Sequence, residues 1–134
     1  MKCDSLVTAL TQEGAEIAKL EVAKLDAVDT GKLMDSIGAY FSPTSKAGII
    51  RANSLYAIYV EFGTGVVGSE SPHPNPNGYR YDINNHGDDG WVYYEDESGE
   101  FRWTKGFKSR PFMYNTAREL ETECERIARE VFGR

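Results

Sequence analysis

Tyr56-Ala57-Ile58-Tyr59-Val60-Glu61-Phe62-Gly63-Thr64-Gly65 lies near the middle of this 134-residue chain and orders the reading of everything around it. Tyr56, Tyr59, Val60 and Gly63 fall at i, i+3, i+4 and i+7, one face of a helix. Phe62 and Ala57 sit beside that face. Gly63 comes where such a helix would stop, because a glycine past the last turn takes positive φ without a Cβ clash. Thr64-Gly65 then turns the chain away, and Asn53-Ser54 offers an N-cap ahead of the run. The expectation is a short, buried, aromatic-rich helix closed by a glycine turn. Glu61 reads as structural, facing out or held by an arginine, since lone carboxylates on apolar helices seldom do chemistry without a partner.

The length fits one domain that can bury most of its apolar surface. A hydrophobic fraction of 40% places the chain among folded proteins rather than disordered ones. No apolar run reaches membrane-spanning length, and Met1-Lys2-Cys3-Asp4-Ser5 has no signal core, so a cytosolic origin is expected. Cys3 and Cys124 stand at opposite ends and are expected to be reduced, Cys124 as a small hydrophobe on an apolar stripe. The net charge of -6 is local: seven acids and no base lie between Asp82 and Glu100, leaving 15 bases against 14 acids elsewhere. Such a balance argues against a nucleic-acid grip, which needs clustered positive charge.

Outward from the centre, residues 5 to 28 read as a helix with Leu6, Leu10, Ile17, Leu20 and Val28 on its stripe. Gly14 weakens its middle by about 1 kcal/mol relative to alanine. Asp29 or Thr30 caps a short second helix in which Leu33 and Ile37 point inward. Ile37–Ser42 and Ala47–Ala52 form a β-hairpin around Pro43-Thr44-Ser45-Lys46. Residues 66 to 90 are broken by glycines and by Pro72, Pro74 and Pro76, and read as a long loop. A second hairpin follows, Trp91–Glu95 and Glu100–Thr104, around Asp96-Glu97-Ser98-Gly99, with Trp91, Tyr93, Phe101 and Trp103 expected on one side. Ser109 can cap the last helix and Pro111 suits its first turn. Met113, Ala117, Leu120, Cys124, Ile127 and Val131 then repeat at helical spacing and are expected to pack on the sheet, with Gly133 closing the helix.

The residues that could carry chemistry are few. His73 and His86 both lie in the turn-rich loop, and there is no nucleophile elbow, phosphate loop or dinucleotide fingerprint. Asp82-x-Asn84-x-His86-Gly87 resembles the start of a calcium loop, but Tyr93 stands where a bidentate glutamate is required. No catalytic residue, metal or cofactor is therefore expected, and the acidic tip Glu95-Asp96-Glu97 reads as a solvated turn.

Three stretches taken together resemble the signature of the tail-completion, or neck, proteins of long-tailed bacteriophages. They are Asp29-Thr30-Gly31-x-Leu33-x-x-Ser36-Ile37, the central Tyr56-Ala57-x-Tyr59-Val60-Glu61-Phe62-Gly63-Thr64-Gly65, and Arg110-Pro111-Phe112-Met113 with Ala117. The resemblance does not cover residues 66 to 106, and Ala27 stands where many members carry a proline. It implies an α+β domain: an N-terminal helix, a small mainly antiparallel sheet with a central short helix, and a C-terminal helix packed on the sheet. It also implies a non-enzymatic virion protein, made in the host cytoplasm, that forms a ring of its own copies, a hexamer, at the head-proximal end of the tail. Its partners would be the tail-tube protein and the head-side connector. Double-stranded DNA would pass through the channel without sequence-specific binding, and no membrane is involved. Trp91, Tyr93, Glu95, Asp96, Glu97, Phe101 and Trp103 are the candidate assembly contacts. Two alternatives stand beside this: a small binding module using the aromatic hairpin, and a small enzyme with a loop-borne site at His73 and His86.

Overall fold

In the computed structural model, the structure describes residues 2–25, 30–81, 90–95 and 98–133. The fold is α+β. Along the chain come α1 (Lys2–Ala23), α2 (Thr30–Asp35), β1 (Ile37–Ser42), β2 (Ala47–Ala52), α3 (Ala57–Phe62), α4 (Gly65–Glu70), β3 (Trp91–Glu95), β4 (Glu100–Thr104) and α5 (Phe112–Phe132). No helix among the described residues is long and apolar enough to cross a membrane. The chain divides into two compact units, Met1–Ala57 with Phe112–Arg134, and Ile58–Pro111.

In the first unit α1 packs along α5 and against the antiparallel β1–β2 hairpin. The hairpin pairs Ile37 with Ala52 and Ser42 with Ala47 around the expected turn at Pro43–Lys46. The core gathers Ala15, Ile17, Ala18, Val22, Leu33, Ile37, Ala57, Phe112 and Ile127. Leu33 and Ile37 point inward as the sequence indicates. The proposed cap at Asp29, together with Val28, lies outside the described residues.

Both long helices bury a line that only partly matches the one read off their large apolar residues, sharing Ile17 on α1 and Ile127 on α5. On α1 the buried positions are Thr11, Gly14, Ala15, Ile17, Ala18 and Val22, while Leu20 is 63% exposed. On α5 they are Phe112, Thr116 and Ile127; Ala117 and Cys124 face solvent, so Cys124 is not a core hydrophobe. Small residues let the elements come close, and two threonines enter the core because their hydroxyls donate back into their own helices, Thr11 to the Val7 carbonyl and Thr116 to the Phe112 carbonyl, each at 2.6 Å. Gly14 marks a close approach: a Cβ there would overlap Ile50 of β2 and lie 3.2 Å from Leu120 of α5. This is where the C-terminal helix reaches the sheet, so the glycine that weakens α1 locally also makes room for its neighbours.

The second unit carries α4, α3 after its first residue, and the second hairpin. Residues 65–70 are helical rather than loop. Two valines and two glycines give this run poor helix propensity, and Thr64 supplies no side-chain cap. Distant carbonyls satisfy its first amides instead: Gly65 N–H donates to Tyr81 O at 2.8 Å and Val67 N–H to Lys105 O at 3.2 Å.

Candidate functional site

The central stretch forms α3 one residue later than its aromatic pattern indicates. Ser54 caps it, its Oγ accepting the Tyr56 amide at 3.2 Å and its carbonyl the Ala57 amide at 3.1 Å. Gly63, at φ 84°, ends the helix as expected, donating to Tyr59 O at 2.7 Å. The buried face is Ala57, Val60, Glu61 and Gly63, while Tyr59 and Phe62 are half-buried.

Glu61 does not face out. It is 8% exposed, and its Oε1 lies 2.9 Å from Nε2 of His73, itself 6% exposed. The Asn75 amide donates to His73 Nδ1 at 2.9 Å. An amide N–H can only donate, so Nδ1 is the acceptor and the ring proton sits on Nε2, directed at the carboxylate. A histidine base needs a ring nitrogen aimed at substrate. Here the nitrogen opposite the carboxylate is occupied by backbone, which makes His73 a tether between α3 and the loop after α4.

Aromatic rings cover this pair. Phe62 lies between His73 and Tyr79, with centroids at 4.5 and 4.6 Å, and Tyr79 meets Tyr81 edge-on at 5.0 Å. Tyr79 Oη donates to Gly63 O at 2.8 Å, and Tyr81 Oη accepts the His73 amide at 3.3 Å. Burial, followed by the neighbouring Tyr59 and Tyr81 hydroxyls, pushes the Tyr79 pKa up to about 12, holding it in its donating form. The signal for this cluster was present in the sequence: a glutamate on a buried helix face needs a partner, and His73, Tyr79 and Tyr81 lie in the next loop.

The central stretch is also bound to the segment that precedes α5. Thr64 and Phe107 exchange backbone hydrogen bonds at 2.9 and 3.1 Å. Ser109 Oγ donates to Glu61 O at 2.6 Å, so it ties α3 rather than capping α5. The Arg110 amide donates to Val60 O at 2.8 Å. Of the other motif residues, Ser36 Oγ donates to Leu33 O at 2.6 Å, Phe112 is buried, Pro111 directly precedes α5, and Gly31 is exposed. Asp29, Asp96, Glu97 and residues 82–89, with His86 and most of the calcium-like run, lie outside the described residues.

The second hairpin splits its aromatics between two faces, against the expectation of one. Trp91 pairs with Thr104, Val92 with Trp103, Tyr93 with Arg102, Tyr94 with Phe101 and Glu95 with Glu100. Directly opposed residues share a face and successive residues change face. Trp91 and Tyr93 therefore stand with Arg102 and Thr104, where Arg102 forms ion pairs with Glu95 and Glu100 and the Trp91 ring lies against Gly65. Phe101 and Trp103 stand with Val92 and Tyr94 on the other face, and all four are more than half exposed. Among the described residues no cluster of three or more His, Cys, Asp or Glu is placed to hold a metal ion. Compared with protein-family models, with curated proteins and with solved structures, the chain gives no match.

Proposed function

We propose that this chain is a structural assembly protein of a phage tail neck. In this reading it forms a ring at the head-proximal end of the tail, completes the tail and joins it to the capsid connector, with DNA passing through the channel. The observation that carries the reading is the bonding of the central motif stretch to the start of the third: the Arg110 amide, first in that stretch, donates to Val60 O, and Ser109 and Phe107 just before it bond Glu61 and Thr64. Two further observations support a structural role. The His73 ring is committed to internal bonds, which disfavours the loop-borne enzyme site. The β3–β4 hairpin offers an exposed apolar face, as an assembly contact would. That face equally suits the second reading, a binding module with one partner and no ring.

Sedimentation of the purified chain, alone and with tail tubes and connectors, tests the assignment. The expected result is a monomeric or weakly associated free chain that assembles on the tube or connector. Failure to bind either at any salt concentration would remove the neck reading, and a one-to-one complex with an unrelated protein would favour the binding module.

A further inference from the structure

We propose that Asn77 is a self-modification site: its side chain closes on the Gly78 nitrogen, loses ammonia and leaves isoaspartate in the turn that carries Tyr79 to α3. The site is independent of the assembly reading. Pro76-Asn77-Gly78-Tyr79 forms a turn closed by the Tyr79 amide, which donates to Pro76 O at 2.9 Å. Its central residues take φ 45° and 83°, the type I′ pattern that favours Asn-Gly. Asn77 and Gly78 are both exposed, and a Cβ on Gly78 would meet nothing within 4 Å. The Asn77 carboxamide makes no hydrogen bond among the described residues. Closure therefore meets neither steric cover nor a side-chain partner that must be given up.

The reaction needs only water. The deprotonated Gly78 nitrogen bonds to Asn77 Cγ, the bond from Cγ to the side-chain nitrogen breaks, and ammonia leaves with the proton. Water then opens the cyclic imide. Opening at Cγ gives aspartate, whereas opening at the backbone carbonyl carbon routes the main chain through the side chain and gives isoaspartate. Glycine favours the closure because no Cβ crowds the attacking nitrogen. The same loop holds an internal control. Asn75 is also exposed, but the next residue is Pro76, whose nitrogen has no hydrogen to give up. Asn53 donates its side-chain amide to Tyr40 Oη at 2.8 Å, and Asn115 lies within α5, where the following amide is tied into the helix. Isoaspartate adds a methylene to the main chain between Pro76 and Tyr79, so the bond that closes the turn loses its register. Tyr79 is the residue that stacks on Phe62 at 4.6 Å and donates to Gly63 O at 2.8 Å. The product therefore loosens the ring cover over the Glu61–His73 pair.

The full chain, incubated folded in mildly alkaline buffer, is followed by digestion, mass spectrometry and labelling with an isoaspartyl methyltransferase. A synthetic peptide of residues 72–81 in the same buffer serves as the clock. Exchange of the side-chain amide for a carboxylate is expected at Asn77 and not at Asn53, Asn75 or Asn115, at a rate within about tenfold of the peptide's, as an exposed turn allows. Gly78→Ala should slow it about tenfold, because its Cβ crowds the nitrogen. An intact Asn77 when the peptide has fully converted, equal modification at Asn75, or an unchanged rate in Gly78→Ala would overturn the site. The isoaspartate form, purified by ion exchange, should exchange its Tyr79 amide hydrogen about tenfold faster than the unmodified chain. Asn77→Asp adds the same charge without the methylene and should keep the protection of the unmodified chain. Equal protection in all three chains, or fast exchange in Asn77→Asp as well, would overturn the link from Asn77 to Tyr79.

Discussion

In the unit built from Met1–Ala57 and Phe112–Arg134, the buried residues are mostly aliphatic or small, from Ala15 and Val22 to Phe112 and Ile127. In the unit Ile58–Pro111, Val60 is buried alongside Glu61, Thr64 and His73. Glycine geometry divides in the same way, although Lys46 of the first unit also takes positive φ. Among the described residues, Gly63, Gly65, Gly78, Gly90, Gly99 and Gly106 take positive φ, and all six fall in the second unit. The first unit is thus specified by apolar side chains meeting across helices. The second is specified by backbone paths that glycines allow and by polar pairs that must be satisfied. It follows that the two should fail under different substitutions.

The largest effect is expected at Phe112, which is 1% exposed in the first unit. Phe112→Ala should lower stability by about 3–5 kcal/mol. Far-UV circular dichroism follows mainly α1 and α5, whereas both tryptophans report the second unit. Denaturant unfolding followed by both signals therefore tests the comparison. A shift confined to the dichroism midpoint keeps the two units energetically distinct, and an equal shift in both makes them one cooperative body.

Next comes the backbone of the second unit. At Gly106, φ is 96° and a Cβ would overlap the Thr64 carbonyl. At Gly78, φ is 83° and nothing lies within 4 Å of such a Cβ. Gly78→Ala isolates the conformational penalty, about 1 kcal/mol. Gly106→Ala adds steric overlap with the Thr64–Phe107 bridge and should cost about 3 kcal/mol by tryptophan-detected unfolding. Equal effects at the two sites would mean that the bridge does not hold the unit together.

This division also explains what could be read in advance. Periodicity disclosed α1, α2 and α5, and β-prone runs on either side of a proline turn disclosed the β1–β2 hairpin. It misplaced the buried line wherever close packing favoured small residues: Thr116 over Cys124, and Ala18 over Leu20. Helix α4 was hidden because its first amides depend on the carbonyls of Tyr81 and Lys105, far along the chain. The faces of β3–β4 were legible and misread. Pairing Glu95 with Glu100 across the turn places Phe101 opposite Tyr94 and sends it to the face away from Trp91.

A smaller effect is expected from the Glu61–His73 tether. Alanine at each position and at both closes a double-mutant cycle. Coupling of about 1–2 kcal/mol is expected for a buried hydrogen-bonded pair. Energies that add within about 0.5 kcal/mol would reduce the contact to coincidence and leave the aromatic rings and the Tyr79–Gly63 hydrogen bond to hold the loop onto α3.

The smallest and most specific effect is the alkaline response of Tyr79. Its pKa rises from 10.0 to about 12, through burial first and then the Tyr59 and Tyr81 hydroxyls. Between these values the folded chain keeps a proton that the unfolded chain has released. Its contribution is therefore fully present below pH 10.0 and lost as pH rises towards about 12. Other tyrosines and lysines titrate in the same window, so the informative quantity is wild type minus Tyr79→Phe. At neutral pH that substitution removes the donor to Gly63 O and should cost about 1 kcal/mol. Above pH 10.0 the gap should narrow, because only the wild type has a hydroxyl at this site left to lose its proton. A gap constant to about pH 12 would place the hydroxyl in solvent, and the closure of α3 would then rest on Gly63 alone.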